Sequence, residues 1–409
     1  MPNQLKKELP RIENLVFQGG GMKGVAYAGA IKALEEQGCL KDVKRVAGSS
    51  AGGITALLLA LGYSADEINE ELSKMDFKQF QDAPPKKWWE IGFLHKISNM
   101  YTIWKTKGHG LYEGKVFKKW VKDKIEKALG NRNATFKDLH EACLREPNKF
   151  KELSVTGTNL KKKELTVFNF EKHKNVKIAD AVRITMSFPG AFQNVELATG
   201  KDKNGKEITE PYSDGGIACN FPMRIYDHKK FVQKGYNLTD TGSNPCTLGF
   251  KVDSEREVSE IFWNSRSGDE SDTKAEFSLT DSVYGVVGSL NSPVDEIREK
   301  YGFNTVQIFD QNVSTLDFDM GEKKKQALWQ SGYEAALNWK KLYRDNVDYP
   351  LHFKEQDQEE EESEKYSPHV YTPLKCMHEH DEQPGLENSE NPEVIPEMIG
   401  NIHQPKAHI

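Results

Sequence analysis

Ile12-Glu13-Asn14-Leu15-Val16-Phe17-Gln18-Gly19-Gly20-Gly21-Met22-Lys23-Gly24 is a short apolar run that ends in a cluster of glycines. Val43-Lys44-Arg45-Val46-Ala47-Gly48-Ser49-Ser50-Ala51-Gly52 repeats the pattern, an apolar run ending in small residues. Helix-spaced apolar residues follow each: Val25, Ala28, Ile31, Ala33 and Leu34 after the first, and Ile54, Leu57, Leu58 and Leu61, stopped by Gly62, after the second. The order is strand, helix, strand, helix. Parallel strands need crossover helices that cover the sheet, so the chain reads as α/β with a mainly parallel central sheet between helical layers.

Further along, strand-like runs at residues 153–158, 165–168, 247–250 and 306–309 add to the sheet, and helix periodicity recurs at 178–186 and 323–342. Residues 66–133 read as helical and unusually aromatic, with a break at Pro84-Pro85. Lys203-Asn204-Gly205-Lys206 predicts a hairpin closed by a type I′ turn. From about residue 351 the composition turns acidic, with Glu359-Glu360-Glu361-Glu362, several prolines and few large apolar residues; residues 351–409 are expected to form a disordered tail. No internal repeat is evident.

A chain of 409 residues with 37% hydrophobic content supports one large α/β domain or two ordinary ones. The net charge of -6 and pI near 6.1 argue against a nucleic-acid partner. Five scattered cysteines, Cys39, Cys143, Cys219, Cys246 and Cys376, are too few and too odd in number for a disulfide framework. They read as free thiols of a reducing compartment. Leu15-Val16-Phe17 is too short for a signal peptide, and no run approaches the roughly 18 apolar residues that cross a bilayer. The expected location is therefore cytoplasmic, with membrane contact only at a surface.

A serine hydroxyl attacks esters only when the fold holds it clear and something takes its proton. Gly48-Ser49-Ser50-Ala51-Gly52 provides the first condition, because a tight strand-to-helix elbow requires small residues two places either side of the nucleophile. Gly48 and Gly52 flank Ser50 in that way, whereas centring on Ser49 would place Ala47 and Ala51 there. Taken alone, the pentapeptide fits a helix N-cap equally well. The loop Gly19, Gly20, Gly21, Lys23 and Gly24 could aim backbone amides at a tetrahedral oxyanion, with Lys23 adding charge. The same glycines satisfy a dinucleotide fingerprint, but that fold needs a carboxylate at the end of the second strand, where this chain has Ala47-Gly48-Ser49. No Gly-Lys-Ser/Thr follows, so the loop is not a phosphate-binding P-loop.

His95, His109, His140 and His173 lack a local motif, and every histidine after His228 lies at or beyond His352, so the sequence offers no evident catalytic imidazole. Pro211-Tyr212-Ser213-Asp214-Gly215-Gly216 is a plain Asp-Gly turn by itself. In order, however, a glycine-rich loop, Gly-x-Ser-x-Gly and Asp-Gly-Gly resemble the patatin-like phospholipase family. The resemblance covers residues 12–222 and extends weakly to Thr315-Leu316-Asp317-Phe318. It implies a three-layer α/β/α patatin-like fold, a catalytic core at 12–225 and a continuation of the same domain at 226–350. It further implies Ser50 as nucleophile and Asp214 as its acid partner, with Gly19, Gly20, Gly21, Lys23 and Gly24 in the oxyanion loop. Asn220 and Pro222 match family positions after Asp-Gly-Gly, and Ser187-Phe188-Pro189-Gly190 resembles the segment before the acid.

The implied activity is hydrolysis of phospholipids or other acyl lipids, of phospholipase A or lysophospholipase type, with no metal and no cofactor. Hydrolysis of neutral lipids or acyl transfer by the same pair, and a lipid- or partner-binding protein with a vestigial pair, are the alternatives. Asp202, Asn204 and Gly205 lack the acidic spacing of a calcium loop, and Cys376, His378 and His380 lack a fourth ligand. Pro84-Pro85-Lys86-Lys87-Trp88-Trp89, with Phe93, Tyr101 and Trp104, reads either as a transient membrane-contact surface or as a cap over the core or the active site. Export as an effector by a non-Sec route is the alternative location, and a protein activator of unknown identity is the further candidate partner.

Overall fold

The computed structural model describes residues 11–75, 110–253, 300–314, 317 and 320–344. The aromatic stretch around Trp88 and Trp89, His95, His109 and the acidic tail with Cys376, His378 and His380 lie outside them, as does most of the Thr315-Leu316-Asp317-Phe318 segment.

The opening unit folds as its pattern predicts. Strand β1 (Asn14–Phe17) leads through the glycine loop to helix α1 (Val25–Glu36), and β2 (Arg45–Gly48) leads directly into α2 (Ala51–Ala60). Helix α3 (Ala65–Lys74) starts at a capping box in which Ser64 and Glu67 satisfy each other's amides. Then come β3 (Gly110–Tyr112), α4 (Lys115–Leu129), α5 (Phe136–Arg145), β4 (Glu152–Asn159), β5 (Glu164–Phe168), the single turn α6 (Phe170–His173) and α7 (Ile178–Thr185). Strands β6 (Gly190–Phe192), β7 (Val195–Lys201), β8 (Glu207–Asp214), β9 (Thr247–Asp253) and β10 (Thr305–Phe309) precede the long helix α8 (Glu322–Arg344).

The central sheet runs β10-β9-β1-β2-β4-β8-β7, with β5 also paired to β4. Neighbours from β10 to β4 are parallel, and β5, β8 and β7 pair antiparallel. Alternation along the strands divides the apolar residues. Leu15, Phe17 and Val46 enter the large core with α1 and α2, while Val16 and Ala47 pack with Phe221, Met223, Tyr226 and Tyr301. Helices α1 and α8 approach at glycines: a Cβ at Gly29 would lie 1.9 Å from the Trp329 carbonyl oxygen, and one at Gly332 would lie 1.8 Å from that of Ala26.

Strand β4 explains the position of the site. Val155 pairs with both Gly48 and Phe168, and Gly157 pairs with both Asp214 and Thr166. Since β5 occupies one edge throughout, β2 and β8 share the other. They meet there with their C-terminal ends facing each other.

The β7-β8 hairpin forms at the predicted place with a different turn. Asp202 N–H donates to the Lys206 carbonyl, Gly205 alone takes positive φ (+78°), and the Asp202 carboxylate accepts the amides of Asn204 and Lys206. This is a three-residue loop, because a type I′ turn needs positive φ at both central residues and Asn204 does not have it. Cys39, Cys143, Cys219 and Cys246 are free thiols. No helix among the described residues is long and apolar enough to cross a membrane.

Candidate active site

Ser50 stands at the junction of β2 and α2 with φ +50° and ψ −126°, a conformation that L residues rarely adopt. Its neighbours make that turn possible. A Cβ at Gly48 would lie 2.3 Å from the Gly52 backbone, and one at Gly52 would lie 2.4 Å from the Phe17 carbonyl oxygen. The Ser50 amide donates to Thr185 Oγ1 at 2.8 Å, which ties the elbow to the end of α7, and Ser50 Oγ lies 3.9 Å from Met186 Sδ.

Ser49 has a different place. Its buried hydroxyl lies 2.7 Å from Thr156 Oγ1 and donates to the Cys219 carbonyl, also at 2.7 Å. Thr156 sits on β4 between the residues that pair with Gly48 and Asp214, so this contact closes the seam between the two strand ends. On the far side, a Cβ at Gly215 would lie 1.9 Å from Thr156 Oγ1, which is why Asp-Gly follows the strand.

Asp214 is fully buried and rigidly held. Its amide donates to the Ser187 carbonyl at 3.1 Å, its carbonyl accepts from Thr158 Oγ1 at 2.7 Å, and its Oδ1 accepts the Gly216 amide at 2.6 Å. Oδ2 completes no hydrogen bond of regular geometry among the described residues. Burial pushes the carboxyl pKa up from 3.8 to about 7, against the Gly216 amide and the adjacent Ser50 hydroxyl, which both favour the carboxylate. An acid so placed changes protonation near neutral pH, as a general base for a hydroxyl must.

The glycine loop is less uniform than its sequence. Gly19 N–H donates to the Asn220 carbonyl at 3.0 Å, and Asn220 Nδ2 returns a bond to the Gly19 carbonyl at 3.2 Å, so the Gly19 amide is not available to an oxyanion. A Cβ at Gly19 would meet Asn220 Oδ1 at 2.3 Å and the Ser50 Cβ at 3.1 Å, placing the loop directly against the elbow. The amides of Gly20 and Gly21 form no hydrogen bond with any described residue. Lys23 is turned away: its ammonium pairs with Asp310 at 2.7 Å. Gly24 lies close to Ala51, whose own amide heads α2. Of the five residues read as an oxyanion loop, Gly20 and Gly21 thus retain open donors, Gly19 and Lys23 act as anchors, and Gly24 serves packing.

Among the described residues, the histidines near the sheet are engaged elsewhere. His140 pairs with Glu152 and stacks on Phe170, and a His173 ring nitrogen lies 3.0 Å from the Val167 carbonyl. Arg183, unmarked in the sequence reading, is buried on α7. It donates to Ser187 Oγ and to the carbonyls of Glu113 and Gln193, fixing the segment that holds Asp214.

Residues 15–226 match the family model described as patatin-like phospholipase. The chain is 32% identical over 223 residues to the uncharacterized protein YqhO of Bacillus subtilis (strain 168), covering 53% of this chain and 67% of YqhO. It is 24% identical over 225 residues to the probable lipid hydrolase 463L of Invertebrate iridescent virus 6, covering 54% of this chain and 67% of 463L. The crystal structure of VipD from Legionella pneumophila is similar over 82% of this chain and 67% of that one, with 20% identity and a TM-score of 0.48.

Proposed function

Since the chain belongs to the patatin-like phospholipase family, we propose that it is a phospholipase A or lysophospholipase whose Ser50 and Asp214 form a catalytic dyad. Lipid ester hydrolysis is the family's chemistry. The observation that carries the finer reading is the meeting of the strained Ser50 with a fully buried carboxyl whose pKa is about 7.

In this reading Ser50 Oγ attacks the ester carbonyl carbon while its proton passes to Asp214, whose Oδ2, unlike Oδ1, holds no regular hydrogen bond. The carbonyl oxygen becomes an oxyanion held by the Gly20 and Gly21 amides and by the Ala51 amide at the start of α2. Each well-aimed donor contributes on the order of 3 kcal/mol to barrier lowering. The carbon-oxygen bond to the leaving alcohol then breaks, and Asp214 returns the proton to that oxygen. Water, deprotonated by the same carboxylate, attacks the acyl carbon; the bond from Ser50 Oγ to that carbon breaks, the fatty acid leaves and Asp214 returns the proton to Oγ.

Covalent labelling with a fluorophosphonate followed by mass spectrometry tests the dyad. The expected adduct is on Ser50, formed much more slowly in Asp214→Asn. Folded wild-type protein without that adduct would overturn the assignment. Lipid profiling of wild type against Asp214→Asn then identifies the acyl lipid consumed.

A further inference from the structure

The oxyanion loop contains almost no side chains with which to fix itself, yet its amides help only if they stay aimed. One end is fixed by the reciprocal bonds between Gly19 and Asn220. At the other end, the loop's one long polar side chain, Lys23, reaches Asp310, 287 residues away in sequence and outside the 15–226 family match. Both partners are shielded, with side chains 18% and 6% exposed, so solvent screens the pair weakly.

Asp310 is itself held at several points. Its amide donates to the Asp253 carbonyl at 2.9 Å, and its Oδ1 accepts the Asn312 amide at 2.9 Å, leaving Oδ2 for Lys23. Gln311 and Asn312 both take positive φ, +54° and +55°, in a tight turn closed by Val313 N–H to the Asp310 carbonyl. Two consecutive non-glycine residues in the left-handed region are a strained arrangement, and such strain persists where surrounding contacts enforce it. Ser331 Oγ on α8 donates to the Phe309 carbonyl at 2.7 Å, and α8 in turn packs backbone to backbone on α1 at Gly29 and Gly332. Helix α1 begins where the glycine loop ends, so the frame closes on itself: loop, α1, α8, the end of β10, and back through Asp310 to Lys23.

We propose that Asp310 is a positioning residue for the oxyanion loop, acting through Lys23, so that the C-terminal elements β10 and α8 set the aim of the Gly20 and Gly21 amides. The effect on catalysis rests on the dyad reading given above. The positioning itself does not.

The experiment compares wild type with Asp310→Asn, Lys23→Met, Lys23→Arg and the Asp310→Asn/Lys23→Met double variant. Steady-state hydrolysis of a soluble p-nitrophenyl ester and amide hydrogen exchange across residues 19–24 are measured for each. The expected result is a kcat lowered about tenfold in each disrupting variant with KM within twofold. The double variant is no worse than either single one, and Lys23→Arg recovers most of the rate. Exchange at the loop's hydrogen-bonded amides, Gly19 (to the Asn220 carbonyl) and Lys23 (to the Gly20 carbonyl), is expected to rise at least tenfold while amides of α2 are unchanged. Wild-type exchange at the loop in both Asp310→Asn and Lys23→Met would overturn the proposal, as would losses that multiply in the double variant. Failure of Ser50 to form an adduct in wild type would remove the dyad reading instead, and the exchange measurement would still decide the positioning.

Discussion

Gly48 and Asp214 lie on the same edge of β4, Gly48 opposite Val155 and Asp214 opposite Gly157, so that β2 and β8 end facing one another with Thr156 between them. This register brings residues that are far apart in sequence to one seam, and it predicts that the two act as a unit. In the proposed dyad, Asp214→Asn keeps the shape and the Gly216 contact but removes the base. Its kcat/KM for a soluble ester is expected to fall about 10²- to 10⁴-fold, the range for loss of a general base. A Ser50→Ala/Asp214→Asn double variant should be no slower than Ser50→Ala alone, as measured by initial rates at high enzyme concentration.

In the proposed dyad, the Asp214 pKa sets the acid limb of activity. As a base the carboxylate is the form that would work, and burial has moved its pKa to about 7. Activity should therefore rise with pH through a midpoint near 7, well above the usual carboxylate range. A kcat/KM profile on a neutral soluble ester reads this directly, and a midpoint near 4 would contradict it.

The same carboxyl makes stability depend on pH in the opposite sense. Its folded pKa is raised above the unfolded value of 3.8, so the folded state binds the proton more tightly, and that stabilisation is lost as pH rises through about 7. Between pH 5 and pH 8 the loss attributable to this group is about 2–3 kcal/mol. Urea unfolding of Asp214→Asn should lack that component, leaving the variant more stable than wild type at pH 8 while catalytically impaired.

Thr185 carries a prediction that no motif suggested. It accepts the buried Ser50 amide at 2.8 Å, and Thr185→Val leaves that donor without its partner. The expected cost is about 1–3 kcal/mol in unfolding free energy, with a further loss of fluorophosphonate reactivity because the elbow loses its tie to α7. Thr185→Ser, which keeps the acceptor, should recover most of both.

The contrast between Ser50 and Thr185 shows what was legible in the sequence. The elbow, the glycine loop and the first two strands and helices were readable because their signals are local: periodicity, and small residues where backbones touch, as at Gly48 and Gly52. The flanking glycines Gly48 and Gly52 single out Ser50 rather than Ser49; in the structure Ser50 takes the positive φ, while Ser49 is held by Thr156 and Cys219. Thr185, Arg183 and Asp310 were not readable, because what each does depends on a partner that only the sheet brings near. The Asn204-Gly205 turn was misread for a similar reason at short range. The Asp202 carboxylate takes two loop amides and favours a longer turn than the dipeptide alone suggests.

Ser50 also allows a test of the elbow's strain that is separate from its chemistry. In an ordinary position, glycine is about 0.5–1 kcal/mol less favourable than alanine because it loses more backbone freedom on folding. At φ +50° and ψ −126° the order should reverse, since alanine keeps the Cβ that clashes there and glycine does not. Ser50→Gly is therefore expected to unfold at higher urea than Ser50→Ala, by about 1 kcal/mol in free energy, although neither can form an adduct. Equal midpoints, or alanine ahead, would mean that the turn is unstrained in solution. In that case the flanking glycines would be needed only for the close approach of Gly48 and Gly52 to their neighbours, and not to hold the hydroxyl in a conformation that the isolated chain avoids.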